Sequence, residues 1–152
     1  MRKYQLAALC LIMSFLFLTA CQSNNTQEAE ESDTRLTEEA PVQERPSSEG
    51  GITLSTEKAR YSSSVDTIVV EIQNESKKEY MTGAHVFLEK KVEDTWYKVP
   101  MKADVFTEEA IIHPPGEESS LGFQVSDLKY ELTPGEYRAT ISGLAAPFKV
   151  VE

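Results

Sequence analysis

The stretch LTPGEYRATISG (residues 132–143) alternates apolar and polar side chains with a period of two. In an extended chain Tyr137, Ala139 and Ile141 fall on one side, and Arg138 falls on the other. A Pro-Gly pair stands directly before the alternating run, where a turn would begin. The pattern is typical of a β-strand that buries one face and presents the other to solvent.

Short runs of the same kind recur along the chain on both sides of this stretch. They are ITLST (52–56), TIVVEIQN (67–74), AHVFLEKKV (84–92), WYKVP (96–100), AIIH (110–113), SLGFQVS (120–126) and APFKVV (146–151). No stretch after residue 50 shows an apolar stripe with the 3.6-residue period of a helix. The pattern predicts an all-β fold, an immunoglobulin-like β-sandwich of seven to eight antiparallel strands.

The segment around Tyr137 resembles the corner before strand F of immunoglobulin-like and fibronectin-like sandwiches. In those domains a turn, here Pro134 and Gly135, precedes a tyrosine whose hydroxyl bonds back to nearby backbone. The resemblance implies that role for Tyr137. Ala139 stands where antibody domains carry their second cysteine, which excludes the disulfide-linked branch.

Three stretches together resemble the bacterial Ig-like domains of secreted and lipid-anchored proteins. They are VFLEKKVEDTWYKVP (86–100), LTPGEYRATISG (132–143) and APFKVVE (146–152). The likeness extends over about residues 52–152, and we place the domain at residues 50–152. It implies an Ig-like sandwich and no particular activity, because this fold carries unrelated functions.

Residues 1–20 have the features of a secretory signal peptide, with a basic start followed by an apolar run from residue 6. That run of about 15 residues falls short of the ~20 that a spanning helix requires. Its end, Leu18-Thr19-Ala20-Cys21, resembles the lipobox of bacterial lipoproteins. The resemblance implies cleavage between Ala20 and Cys21, a diacylglycerol on the Cys21 thiol, and possible acylation of its amino group. An ordinary cut that leaves Cys21 free is the alternative.

Residues 21–49 are predicted to be the lipidated cysteine and a disordered acidic tether. Residues 22–49 hold eight acidic and two basic side chains, and Leu36 and Val42 are their only large apolar residues. Such a composition buries too little apolar surface to offset chain entropy. The tether would act as a spacer between the membrane and the domain.

The net charge of −10 excludes two classes of partner. Nucleic acid requires clustered lysine and arginine, which this chain lacks. Anionic lipid head groups would repel the domain. The only membrane contact that we predict is therefore through the lipid on Cys21.

No catalytic, metal or cofactor site is predicted. His85 is interpreted as a strand-surface residue and His113 as a turn residue before two prolines. No nucleophile motif marks a serine, and two isolated histidines are too few for a zinc site.

Trp96 is interpreted as a structural residue of the core that packs near Phe87. A platform formed by Trp96 and Tyr97 for stacking a sugar is the alternative. Lys90 and Lys91 are interpreted as solvent-facing residues that protect a strand end.

The sequence predicts a lipid-anchored protein on the extracytoplasmic side of the cell membrane, with a binding or structural role in the bacterial envelope and no catalysis. Its partner would be an envelope protein or a wall polymer, and no small-molecule substrate is evident. A protease-inhibitor-like or accessory protein that acts through the sandwich loops is the alternative, with Lys102–Ser119 as the longest loop candidate. An enzyme is the third and least favoured class.

Overall fold

The computed structural model describes residues 36–107 and 109–152. The predicted signal peptide, Ala20, Cys21 and residues 22–35 of the predicted tether lie outside this range. Eleven strands are present in the described part of the chain. They are β1 (Ser48–Glu49), β2 (Ile52–Thr56), β3 (Arg60–Ser62), β4 (Thr67–Asn74), β5 (Tyr80–Gly83), β6 (Phe87–Val92), β7 (Thr95–Lys98), β8 (Ala110–His113), β9 (Glu118–Gln124), β10 (Gly135–Ile141) and β11 (Leu144–Val151).

Two sheets and a ribbon organise these strands. One sheet has the order β1-β2-β4-β9, the other has the order β3-β11-β10-β6-β7, and β5 pairs with β8. The pairings are antiparallel except for β3 on β11, which is parallel. The predicted all-β, Ig-like sandwich is confirmed. The strand number exceeds the predicted seven to eight because short strands such as β1 and β3 carry too few residues to show an alternation.

The core lies between the two sheets and follows the alternation of the sequence. Tyr137, Ala139 and Ile141 of β10 are buried there together with Ile68, Val70 and Ile72 of β4, Leu88 of β6 and Phe148 of β11. Phe148 stacks on the Tyr137 ring at a centroid distance of 5.6 Å. Burying this apolar surface is the main stabilising contribution in a sandwich without disulfides.

Residues 36–47 form what we call the strap, a segment that first pairs with the edge of β7 and then bonds β11 and β2 through the carbonyls of Pro46 and Ser47. Leu36 and Ala40 are buried. The backbone N–H of Ala40 donates to the Trp96 carbonyl, and the N–H of Lys98 donates to the Glu38 carbonyl, both at 2.8 Å. The predicted disorder of residues 22–49 therefore does not hold for residues 36–49. Backbone hydrogen bonds to an open sheet edge fix this segment despite its polar composition.

Within the described residues, no helix has the length and apolar character needed to cross a bilayer. The helical content there is one short 3₁₀ turn at Val125–Asp127.

Candidate binding groove

A groove of about 460 Å³ lies between the strap and the segment that follows β7. Its apolar lining includes Pro41 of the strap, Phe87 of β6, and Val99, Pro100, Met101 and Phe106 of the following segment. Concave, mainly apolar sites with a few polar groups are the usual form of a binding pocket. Sequence reasoning missed this groove, because its walls come from segments that are far apart along the chain.

Two aromatic side chains dominate the groove. The Phe87 and Phe106 rings meet edge to face at a centroid distance of 5.2 Å. The Phe106 ring also lies 4.8 Å from the His85 ring. Phe87 remains 42% exposed. One signal in the sequence marks it: Phe87 precedes the buried Leu88 in a strand, so alternation places this large apolar side chain outside the core.

The charged side chains that line the groove occur as pairs of opposite sign. The N–O distances are 2.5 Å for Lys98 with Glu38, 3.2 Å for Lys129 with Asp104, and 3.7 Å for Arg45 with Glu89. The groove is thus electrically balanced within a protein of net charge −10. It offers little to a strongly charged ligand and favours an apolar one.

Arg138 of β10 joins the strap to the sheet. Its Nε pairs with the Glu89 carboxylate at 2.5 Å, and both residues are buried. Its two terminal nitrogens donate to the strap carbonyls of Gln43 at 2.7 Å and Val42 at 2.6 Å. Alternation correctly placed Arg138 opposite the core, but the strap and Trp96 cover it. A buried guanidinium with each nitrogen bonded is the arrangement that offsets the cost of burying its charge.

Trp96 lies on the outer face of the five-stranded sheet, so its interpretation as a core residue is corrected. The Arg138 Cζ atom lies 4.3 Å from the Trp96 ring centroid, a cation–π contact. Tyr97, the next residue, packs against the core in its place. The Gln43 side-chain oxygen also accepts a hydrogen bond from the Trp96 backbone N–H at 2.8 Å. Phe87, the expected neighbour of Trp96, contacts Phe106.

Tyr137 has the geometry that the family resemblance implies. Its hydroxyl donates to the Thr133 carbonyl at 2.9 Å and accepts from the Thr133 backbone N–H at 3.2 Å. Burial raises the pKa of Tyr137 well above its usual value. The hydroxyl therefore stays protonated and anchors the turn that precedes β10.

Lys90 is buried, in contrast to its interpretation as a solvent-facing residue. Its ammonium group donates to the Tyr130 hydroxyl at 3.2 Å and to the Thr133 hydroxyl at 2.5 Å. It also lies 5.5 Å from the Tyr137 ring centroid. The hydroxyls of Tyr130 and Thr133 and the face of the Tyr137 ring provide the partners that allow a buried lysine in β6.

The two histidines do not come together. His113 lies at the end of β8 with 1% exposure, so its interpretation as a turn residue is corrected. Its Nε2 bonds to the Thr82 hydroxyl at 2.9 Å and its Nδ1 to the Ser119 hydroxyl. Burial lowers the pKa of His113. His85 lies in the connection between β5 and β6, half-buried, and not within a strand.

No group of three or more histidine, cysteine, aspartate or glutamate side chains able to hold a metal ion occurs among residues 36–107 and 109–152.

The predicted long loop Lys102–Ser119 is shorter than expected. It contains β8 and the start of β9, so the described loop after β7 covers residues 99–107 and 109.

Comparison with known proteins gives a family and little else. A family model described as a bacterial Ig-like domain matches residues 48–142. No curated protein matches the chain.

Several solved structures contain a similar segment. They include the β-glucosidase EmGH1 from Erythrobacter marinus (15% identity, TM-score 0.37), a mutant β-glucosidase from Listeria innocua (16%, 0.35) and the exo-β-xylosidase XlnD (10%, 0.34). Each match covers 66% of this chain, which spans only 15% to 17% of those enzymes. Likenesses this weak support no inference about function. The family match covers more than half of the chain, and the chain belongs to the bacterial Ig-like domain family.

Proposed function

We propose that this protein is a lipid-anchored binding protein of the bacterial envelope that holds a partner protein in the groove beside the strap. The observation that carries the proposal is the 42% exposure of Phe87 in an apolar groove whose charges are already paired. Such a site suits an uncharged, apolar segment of a partner, with aromatic side chains as the anchors. The domain acts by binding and needs no cofactor.

A site-specific photo-crosslinker tests the groove. Val105, 87% exposed, lies beside the groove-lining Phe106 and is the position for the crosslinker. Met81 on the β5–β8 ribbon, 62% exposed, is the matched control position. In cells we expect the crosslinker at position 105 to capture one partner protein. The crosslinker at position 81 should not capture that protein. Phe87→Ser should reduce that product by about tenfold, as expected for loss of an anchor of ~1.4 kcal/mol. The same yield in Phe87→Ser would refute the groove as the site.

The lipid anchor is proposed from the residues Leu18-Thr19-Ala20-Cys21. Each buried methylene contributes about 0.8 kcal/mol, and two acyl chains give stable anchoring where one gives marginal binding. Cys21→Ser should remove the lipid and move the protein from the detergent phase to the aqueous phase. Retention of the variant in the detergent phase would refute the lipobox assignment, whatever the outcome at the groove.

A second candidate function is inhibition of a protease by the loop after β7. The observation that favours it is Val105, the most exposed large apolar side chain described, which the loop presents to solvent. A panel of proteases separates the two candidates. The inhibitor function predicts inhibition that Val105→Asp abolishes, and the groove function predicts no inhibition at all.

A further inference from the structure

A second, smaller cleft lies on the outer face of the five-stranded sheet. It has a volume of about 250 Å³ and is lined by Trp96, Pro147, Glu136 and Lys149 together with Ala59, Tyr137 and Phe148. It shares no lining residue with the groove beside the strap. The two sites therefore allow independent tests.

The Trp96 ring is held in place without a ligand. The Arg138 guanidinium lies against it at 4.3 Å from the ring centroid. Arg138 is itself fixed by Glu89 and by the strap carbonyls of Val42 and Gln43. A ring fixed in this way loses little conformational entropy when a ligand stacks on it.

Besides Trp96, the cleft offers both a hydrogen-bond acceptor and a donor. Glu136 and Lys149 are direct cross-strand partners on β10 and β11. Their charged groups pair at 3.2 Å, and both side chains are more than half exposed. The carboxylate can accept hydrogen bonds and the ammonium group can donate them to a ligand that reaches the cleft.

We propose that this cleft binds one uncharged sugar ring of a glycan, stacked on Trp96 with its hydroxyls bonded to Glu136 and Lys149. A pyranose ring presents an apolar face of C–H groups, which suits an indole, and hydroxyls that both donate and accept. The paired charges leave the cleft neutral, which favours an uncharged sugar. The volume lies just below the range of about 300–1,000 Å³ for larger ligands and suits a single ring. The site goes beyond the proposed protein-binding function and does not depend on it.

The test uses the single tryptophan of the chain as its reporter. We would titrate the intact protein with chitohexaose, cellohexaose and laminarihexaose and follow Trp96 fluorescence. We expect a saturable change with at least one probe. The double variant Glu136→Gln/Lys149→Met removes two exposed side chains whose opposite charges cancel, so it should keep the fold. We expect it to weaken sugar binding by about tenfold. Phe87→Ser, in the other groove, should leave sugar binding unchanged.

Trp96→Leu should abolish binding measured by saturation-transfer NMR, and the thermal unfolding of this variant checks its fold. Two outcomes would overturn the proposal. One is the absence of a saturable change with all three probes. The other is a change with the same midpoint in the double variant. An unchanged crosslinking yield in Phe87→Ser would refute the groove and leave the sugar site standing, so the two proposals can fail separately.

Discussion

Arg138→Met is the substitution that tests how the strap is held. It removes the guanidinium that bonds Glu89, the Val42 carbonyl and the Gln43 carbonyl. The Glu89 carboxylate, 5% exposed, then keeps only Arg45 at 3.7 Å as a charged partner. Breaking a buried ion pair by removing one partner costs about 3–5 kcal/mol. That is a large part of the ~5–15 kcal/mol that holds a typical domain folded.

The double variant Glu89→Leu/Arg138→Met separates the buried charge from the strap contacts. It leaves no uncompensated carboxylate, and its expected loss is about 1–3 kcal/mol, from the two hydrogen bonds to the strap. Urea unfolding of the wild type, both single variants and the double variant gives a coupling energy, which we expect to be about 2 kcal/mol or more. Hydrogen exchange of the Ala40 amide, bonded to Trp96 in the native protein, reports on the strap directly.

Two results would refute this reasoning. One is an Arg138→Met protein within about 1 kcal/mol of the wild type, which would mean that the pair contributes as little as a surface salt bridge. The other is full protection of the Ala40 amide in that variant, which would show that the strap stays in place without Arg138.

Three further predictions concern the tyrosine corner, the buried histidine and the strap. Tyr137→Phe removes the hydroxyl that bonds the N–H and the carbonyl of Thr133. We expect the free energy of unfolding, measured in urea, to fall by about 1–3 kcal/mol. Because burial lowers the pKa of His113, the unfolded chain binds a proton more readily, so stability should fall as pH decreases below ~6.5. His113 can change the free energy of unfolding by at most about 1.4 kcal/mol per pH unit. Urea unfolding at several pH values should show this dependence in the wild type and not in His113→Gln. Leu36→Ala should cost about 2–3 kcal/mol if Leu36 is part of the folded domain, whereas a disordered tether predicts no change in the unfolding midpoint.

The sandwich could be predicted from the sequence because period-two alternation is a local property. β4 and β10 show it over seven or eight residues, and both bury the faces that the pattern indicates. The turn before Tyr137 was visible for the same reason, since Pro134, Gly135 and the tyrosine lie within four residues of one another.

The strap could not be predicted, because its stability comes from partners far along the chain. Gln43 and Arg138 are 95 residues apart. The segment itself is polar and contains two prolines, which locally indicates disorder. Trp96 shows a related limit. Trp96 and Tyr97 are adjacent aromatic residues after a hairpin, and only the strand register decides which of them faces the core.

The strap has a mechanical consequence for any pull that reaches the domain from its N-terminal side. Such a force acts first on the Glu38 and Ala40 contacts with β7, which open one after another as an edge is peeled. This opening would stop at the Val42 and Gln43 carbonyls, which are hydrogen-bonded to Arg138. Releasing residues 36–41 would lengthen the connection by roughly 20 Å at ~3.5 Å per residue. We therefore expect an extensible first stage that yields while the two sheets stay intact.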